Sequence, residues 1–140
     1  MPCDVGVDGC PGGWIAVWQD DGDPAVGVFP AFAELIAAFP GDAIIAVDMP
    51  IGLPEFSGRG GRGPEALVRP LLGQRQSSVF SIPSRAAVHA ETASFTTVAE
   101  WYAAHRRASE VAIATSDPPR GVSIQAFGIF GKIRDRRTAA

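Results

Sequence analysis

The sequence predicts an α/β fold in which three antiparallel strands lead through a helix to a parallel strand. Three observations predict it. Asp4 to Cys10 alternates, with Val5 and Val7 on one face and Asp4, Gly6 and Asp8 on the other. Two turn clusters, Pro11-Gly12-Gly13 and Asp20 to Pro24, divide the next stretch into short apolar runs. Ala43 to Asp48 is almost wholly apolar, which predicts a central strand, buried on both faces and paired in parallel.

The remaining elements follow in order. Trp14 to Trp18 and Ala25 to Phe29 read as the second and third strands of a meander. Ala31 to Phe39 reads as a helix, because Phe32, Leu35, Ile36 and Phe39 recur at steps of three and four before Pro40-Gly41-Asp42 stops it. After Pro50, residues 52–63 hold Gly52, Gly58, Gly60, Gly61 and Gly63 with Arg59 and Arg62, a flexible, locally basic loop. A short helix is expected from Pro64, with Glu65 in its first turn and Pro70 ending or kinking it. Residues 73–85 are polar and basic around an apolar centre. Thr96 to Glu110 predicts a helix capped by Thr96 or Thr97, with Val98, Trp101, Tyr102 and His105 near one face. Residues 111–121 read as a second flexible loop. Ser123 to Arg134 reads as a last helix, carrying Ile124, Phe127, Phe130 and Ile133.

Composition narrows the class. A chain of 140 residues with 46% hydrophobic and 19% charged residues is expected to form a single folded domain with a genuine core. A net charge of -3 gives no overall drive toward nucleic acid, although a local patch can supply one. No apolar run approaches the roughly 20 residues of a membrane span, and Met1-Pro2-Cys3-Asp4 does not open a signal peptide. Cys3 and Cys10 make neither a disulfide framework nor a zinc-finger spacing. They fit two reduced thiols in a cytoplasmic protein, and a pairing between them stays open.

Asp8 and Asp48 each close an apolar strand-like run. A carboxylate there costs desolvation energy and is kept when hydrogen-bonded, paired or bound to metal. If the fourth strand pairs in parallel with the first, both lie toward carboxyl ends on one edge of the sheet, where open α/β sheets place their sites. Gly6 beside Asp8, and Ala46 beside Asp48, leave room for an approaching group. The plainer roles are a turn residue bonding hairpin amides for Asp8 and a turn cap before Pro50 for Asp48. His89 and His105 have no ligand-spaced partner. No base adjoins Ser77 or Ser78 in sequence, which argues against a serine nucleophile.

Several ordered segments carry a family resemblance. They are Gly6-Val7-Asp8-Gly9-Cys10 with Gly12-Gly13-Trp14, Val47-Asp48-Met49-Pro50-Ile51-Gly52-Leu53-Pro54, and Leu72-Gly73 leading to Ser77-Ser78-Val79-Phe80. Pro83-Ser84-Arg85 and Gly121-Val122-Ser123 with Gln125-Ala126 and Lys132-Ile133 complete the set. On these the chain resembles the domain of unknown function family 429, described as predicted nucleases with an RNase H-like fold. The resemblance implies phosphodiester hydrolysis of DNA or RNA at a two-metal carboxylate site holding Mg2+ or Mn2+. It implies catalytic Asp8, Asp48 and Glu65, with Asp8 and Asp48 as metal ligands. Glu65 stands where the family usually carries an aspartate, and Arg69 matches the basic residue after it. Arg62, Arg69, Arg75, Arg85, Ser77 and Ser78 are the candidates for substrate phosphates. Family members usually continue beyond Lys132-Ile133 into a further strand and acidic motifs, so the chain is expected to be a truncated member. Loss of sheet-covering helices would favour a homo-oligomer. Two other readings compete: an actin-like nucleotide-binding domain using Asp4-Val5-Gly6 and Asp8-Gly9 with Gly12-Gly13 against phosphate, and a non-enzymatic remnant that keeps a binding surface or merely the fold.

Overall fold

The computed structural model describes residues 3–138. Its strands are β1 (Asp4–Cys10), β2 (Gly13–Asp20), β3 (Asp23–Phe29) and β4 (Ile44–Val47). Its helices are α1 (Phe32–Ala37), α2 (Gly63–Val68), α3 (Arg85–Val88), α4 (Val98–Ala114), α5 (Ile124–Gly128) and α6 (Phe130–Thr138), and a 3-10 segment spans Arg69–Ser78. The chain packs as two compact units. The first comprises residues to Met49 together with those from Lys132, and the second comprises Pro50–Gly131.

The first unit is a mixed sheet in the order β3-β2-β1-β4. The β1–β2 and β2–β3 pairs are antiparallel. Strand β4 runs parallel to β1, from Asp4↔Ile44 to Val7↔Val47. The three-strand meander, the helix and the parallel strand thus agree with the alternation and the turn signals. One expectation is corrected: β4 is an edge strand, not a central one. Among the described residues no strand pairs beyond it, and Ile44 remains 60% exposed. Only its Ile45 and Val47 face packs on the core. A run of four apolar residues is too short to reveal that its second face stays open.

That core contains Val5, Val7, Trp14, Ala16, Phe32 and Leu35. Trp14 is fully buried and meets Phe32 edge-on at 4.8 Å between ring centroids. Its indole N–H donates to Asp135 Oδ2 at 2.6 Å, and the same oxygen accepts the Phe32 backbone N–H at 3.2 Å. Asp135 thereby satisfies a first-turn amide of α1 that has no partner within the helix. Lys132 Nζ donates to the Gly13 carbonyl and lies 5.2 Å from the centre of the Trp14 ring. Gly13 itself is required: its φ is +125°, and a Cβ there would stand 2.2 Å from the Phe29 carbonyl oxygen.

In the second unit, α2 ends at Val68 and the chain continues as the 3-10 segment, with Pro70 in its first turn. Gly73, at φ 52°, kinks that segment. The 52–63 stretch, expected to be flexible, is tied down repeatedly. Ser57 bridges Ser116, Arg62 Nη1 donates to the Ile51 and Gly52 carbonyls at 2.7 Å each, and Arg69 Nη1 donates to the Gly60 carbonyl at 2.7 Å. The 111–121 loop begins later than expected, since α4 continues to Ala114.

Helix α4 also turns a different face inward. Ala104, Ala108 and Ala112 form its buried stripe, while Val98 and Tyr102 are exposed. Alanines at four-residue steps let neighbouring backbone approach closely, a signal weaker in sequence than large apolar residues. Trp101 and His105 stack at 6.1 Å, and both meet Phe127 edge-on. His105 Nε2 lies 2.8 Å from the Val122 carbonyl oxygen. A carbonyl only accepts, so Nε2 carries the proton. The expected single C-terminal helix is two, α5 and α6, separated at Ile129.

Thr97 caps α4. Its hydroxyl accepts the Glu100 N–H at 3.1 Å, and Glu100 reaches back to the Thr96 and Thr97 amides. Thr97→Ala is expected to cost about 1 kcal/mol in denaturant unfolding. The Thr96 backbone amide, then the Thr96 hydroxyl, hold the Glu100 carboxyl below its ordinary 4.5. A depressed folded value stabilises above 4.5 and is lost as pH falls through the folded value. Acid melting curves of Glu100→Gln are therefore expected to show a smaller stability loss over that interval than the wild type.

Candidate functional site

Asp8 and Asp48 lie one residue past the last paired rung, Val7↔Val47, of the parallel β1–β4 ladder. The Asp48 backbone N–H donates to the Val7 carbonyl at 2.8 Å, so the parallel pattern extends to this point. Neighbouring strands are about 4.8 Å apart. Val7 is buried, and Asp8 and Asp48 are both exposed, so the two carboxylates stand side by side on the open face at the carboxyl ends of adjacent strands. Asp8 Oδ1 accepts the Gly9 N–H at 2.7 Å, which is also the plainer turn role expected for it. Among the described residues neither carboxylate has an ion-pair partner. No group of three or more His, Cys, Asp and Glu side chains suited to a metal gathers among the described residues. The pair is thus a two-carboxylate edge, with hard oxygen donors open to water.

Glu65, on α2, lies in the second unit. It is 5% exposed, and its carboxylate is taken up by Arg62: Oε1 accepts from Arg62 Nε at 2.7 Å and from Nη2, and Oε2 accepts the Arg62 backbone N–H at 2.9 Å. Arg62 in turn spends its remaining donors on backbone carbonyls. These two candidates form a buried clamp on the glycine-rich loop. Arg85 is likewise engaged, with Glu55 Oε1 at 2.9 Å and the Leu53 carbonyl at 3.0 Å. Arg75 and Ser78 are exposed near the end of the 3-10 segment.

Arg69 and Ser77 meet in a cleft of about 410 Å³ within the second unit. Gln76, Phe80 and Ser81 line the same side of the chain, and Arg120, Ser123 and Gln125 come from beyond α4. Arg120, Ser123 and Gln125 were not singled out as site residues by the sequence. A signal that could have found Ser123 and Gln125 is the pair of separate motifs Ser77-Ser78-Val79-Phe80 and Gly121-Val122-Ser123 with Gln125, which the fold brings to one cleft; no sequence signal marked Arg120. In the first unit, a cavity of about 900 Å³ is lined by Cys3, Asp4, Trp18, Asp20, Asp21 and Phe39 among others, but neither Asp8 nor Asp48 borders it. It sits toward the amino end of β1, and among the described residues it gathers no basic side chain.

The family model for proteins of unknown function DUF429 matches residues 6–140. The chain belongs to the DUF429 family. No curated protein and no solved structure matches it significantly. The match to DUF429 covers both the β1–β4 aspartates and the cleft. Cys3 and Cys10 are free thiols, and among the described residues no helix is long and apolar enough to cross a membrane.

Proposed function

We propose that this DUF429 protein is a metal-dependent nuclease of RNase H-like fold, acting in the cytoplasm, with Asp8 and Asp48 holding Mg2+ or Mn2+. The observation that carries this reading is the pair itself: two exposed carboxylates, without an ion-pair partner among the described residues, on one face at the carboxyl ends of adjacent parallel strands. The order β3-β2-β1-β4, with the parallel strand beside β1, supports the RNase H-like assignment.

The donor set fits the ion. Magnesium takes hard oxygen ligands and keeps several waters, so two carboxylates are a sufficient protein contribution to one ion. The Gly9 amide on Asp8 Oδ1 fixes that carboxylate's orientation and leaves Oδ2 available. When bound, such an ion would polarise a phosphoryl oxygen and make a coordinated water more acidic than bulk water. Asp8 and Asp48 orient the reacting groups from one edge of the sheet, where their negative charge balances the cation. Glu65 neutralises Arg62, whose guanidinium holds the Ile51 and Gly52 carbonyls, a structural role within the second unit.

The test is cleavage of end-labelled single-stranded DNA, RNA and an RNA–DNA hybrid by the purified chain, with Mg2+ or Mn2+ and with EDTA. Divalent-dependent cleavage of at least one substrate is the expected result. Absence of cleavage on all three, together with thermal stabilisation by ATP, would replace this reading with the actin-like one.

A further inference from the structure

We propose that the cleft of the second unit binds single-stranded nucleic acid, with Arg69 and Arg120 facing its phosphates and Phe80 facing a base. This deepens the nuclease reading, on which the choice of nucleic acid as the ligand class rests.

Charge comes first. Among the described residues the lining holds two guanidinium groups and no carboxylate, in a chain whose net charge is -3. The two arginines differ in what they offer. Arg69 is locked: Nη1 donates to the Gly60 carbonyl at 2.7 Å, and Nη2 donates to the Val79 carbonyl at 3.0 Å and to Ser81 Oγ at 3.1 Å. It supplies a fixed positive charge whose position costs nothing further on binding. Arg120 is exposed, and among the described residues its guanidinium has no hydrogen-bond or ion-pair partner. Its backbone is nonetheless anchored, because the Arg120 N–H donates to Ser116 Oγ at 2.9 Å and the Val122 N–H donates to Ser109 Oγ at 3.2 Å. A free fork of donors on an anchored stretch of chain suits a phosphate.

The other lining groups match the rest of a nucleotide. Ser77, Gln76 and Gln125 present hydroxyl and amide groups for sugar or base edges. Phe80 remains 37% exposed at the cleft, which offers a ring face to a base. A volume of about 410 Å³ is in the range of small-molecule sites and suits one nucleotide unit.

A strand fits better than a free nucleotide because the basic surface continues. Arg120 also borders a second cavity of about 200 Å³, lined by Arg59, Gly58 and Gly60. Arginines at successive positions along a groove follow a phosphate backbone, as single-strand binding requires.

The test is fluorescence anisotropy with a short fluorescein-labelled oligo(dT) in EDTA, where no divalent ion supports cleavage. Wild type, Arg120→Glu and Phe80→Ala are compared across a salt series, with melting temperatures recorded for each. Arg120→Glu is expected to weaken binding about 10-fold or more and to lower the salt slope by about one or more, at an unchanged melting temperature. Phe80→Ala is expected to weaken it by about 5- to 100-fold. Binding by Arg120→Glu as tight as wild type, or equal competition by inorganic phosphate at the same concentration, overturns the proposal, as does a wild type that does not bind. Binding that is retained and Arg120-dependent in a protein that cleaves nothing supports the cleft and counts against the nuclease reading alone.

Discussion

Asp8→Asn and Asp48→Asn are each expected to lower divalent-dependent cleavage by on the order of 100-fold or more, the scale seen when one preorganised electrostatic group is lost from a site. Both substitutions keep the size and shape of the side chain and remove one negative charge. In the metal-free protein the same changes are expected to raise stability slightly. Like charges facing each other on neighbouring strands cost up to about 1 kcal/mol, and either substitution relieves that repulsion. Activity and stability thus move in opposite directions, which a merely misfolded variant does not do. Initial rates with Mn2+, paired with thermal melts in EDTA, measure both. The double substitution is expected to cost little more activity than either single one, because the two carboxylates act on the same ion.

Arg62→Ala is the largest stability effect expected in the second unit, about 3–5 kcal/mol in denaturant unfolding. The side chains of Arg62 and Glu65 are only 10% and 6% exposed, so removing the guanidinium leaves a buried carboxylate without its counter-charge. It also strips the Ile51 and Gly52 carbonyls of their donor. Glu65→Gln separates the two roles this residue has been given. A direct catalytic role would lose activity at unchanged stability. The geometry expects the reverse: lower stability, with residual cleavage in the fraction that stays folded.

Most of the first unit was legible because its signals are local. The alternation of Asp4 to Cys10 reproduces the buried and exposed residues of β1, and Pro11-Gly12-Gly13 marks a turn that only glycine at position 13 permits. Edge or centre in a sheet is a tertiary property, and the apolar run Ile44–Val47 carries no mark of it. The same distinction runs through the second unit. The cap of α4 is visible in Thr97 and Glu100, whereas its buried alanine stripe depends on what packs against it. Asp8 and Asp48 were legible as strand-end carboxylates. Arg62, Arg69 and Arg85 resemble one another as isolated cations in sequence, and only their carbonyl and carboxylate partners show that each is structurally engaged. Arg120 lay in a stretch read as loop, and its importance arises from residues about forty positions away in the chain.

The most direct test of the metal site is Mn2+ binding to the metal-free protein, followed by electron paramagnetic resonance in wild type, Asp8→Asn and Asp48→Asn. Wild type is expected to bind Mn2+ saturably, with Mg2+ competing, and each substitution is expected to weaken binding at least about 10-fold, the scale for loss of a coordinating or supporting group. Equal Mn2+ affinity in all three proteins would contradict the assignment of Asp8 and Asp48 as the ligands.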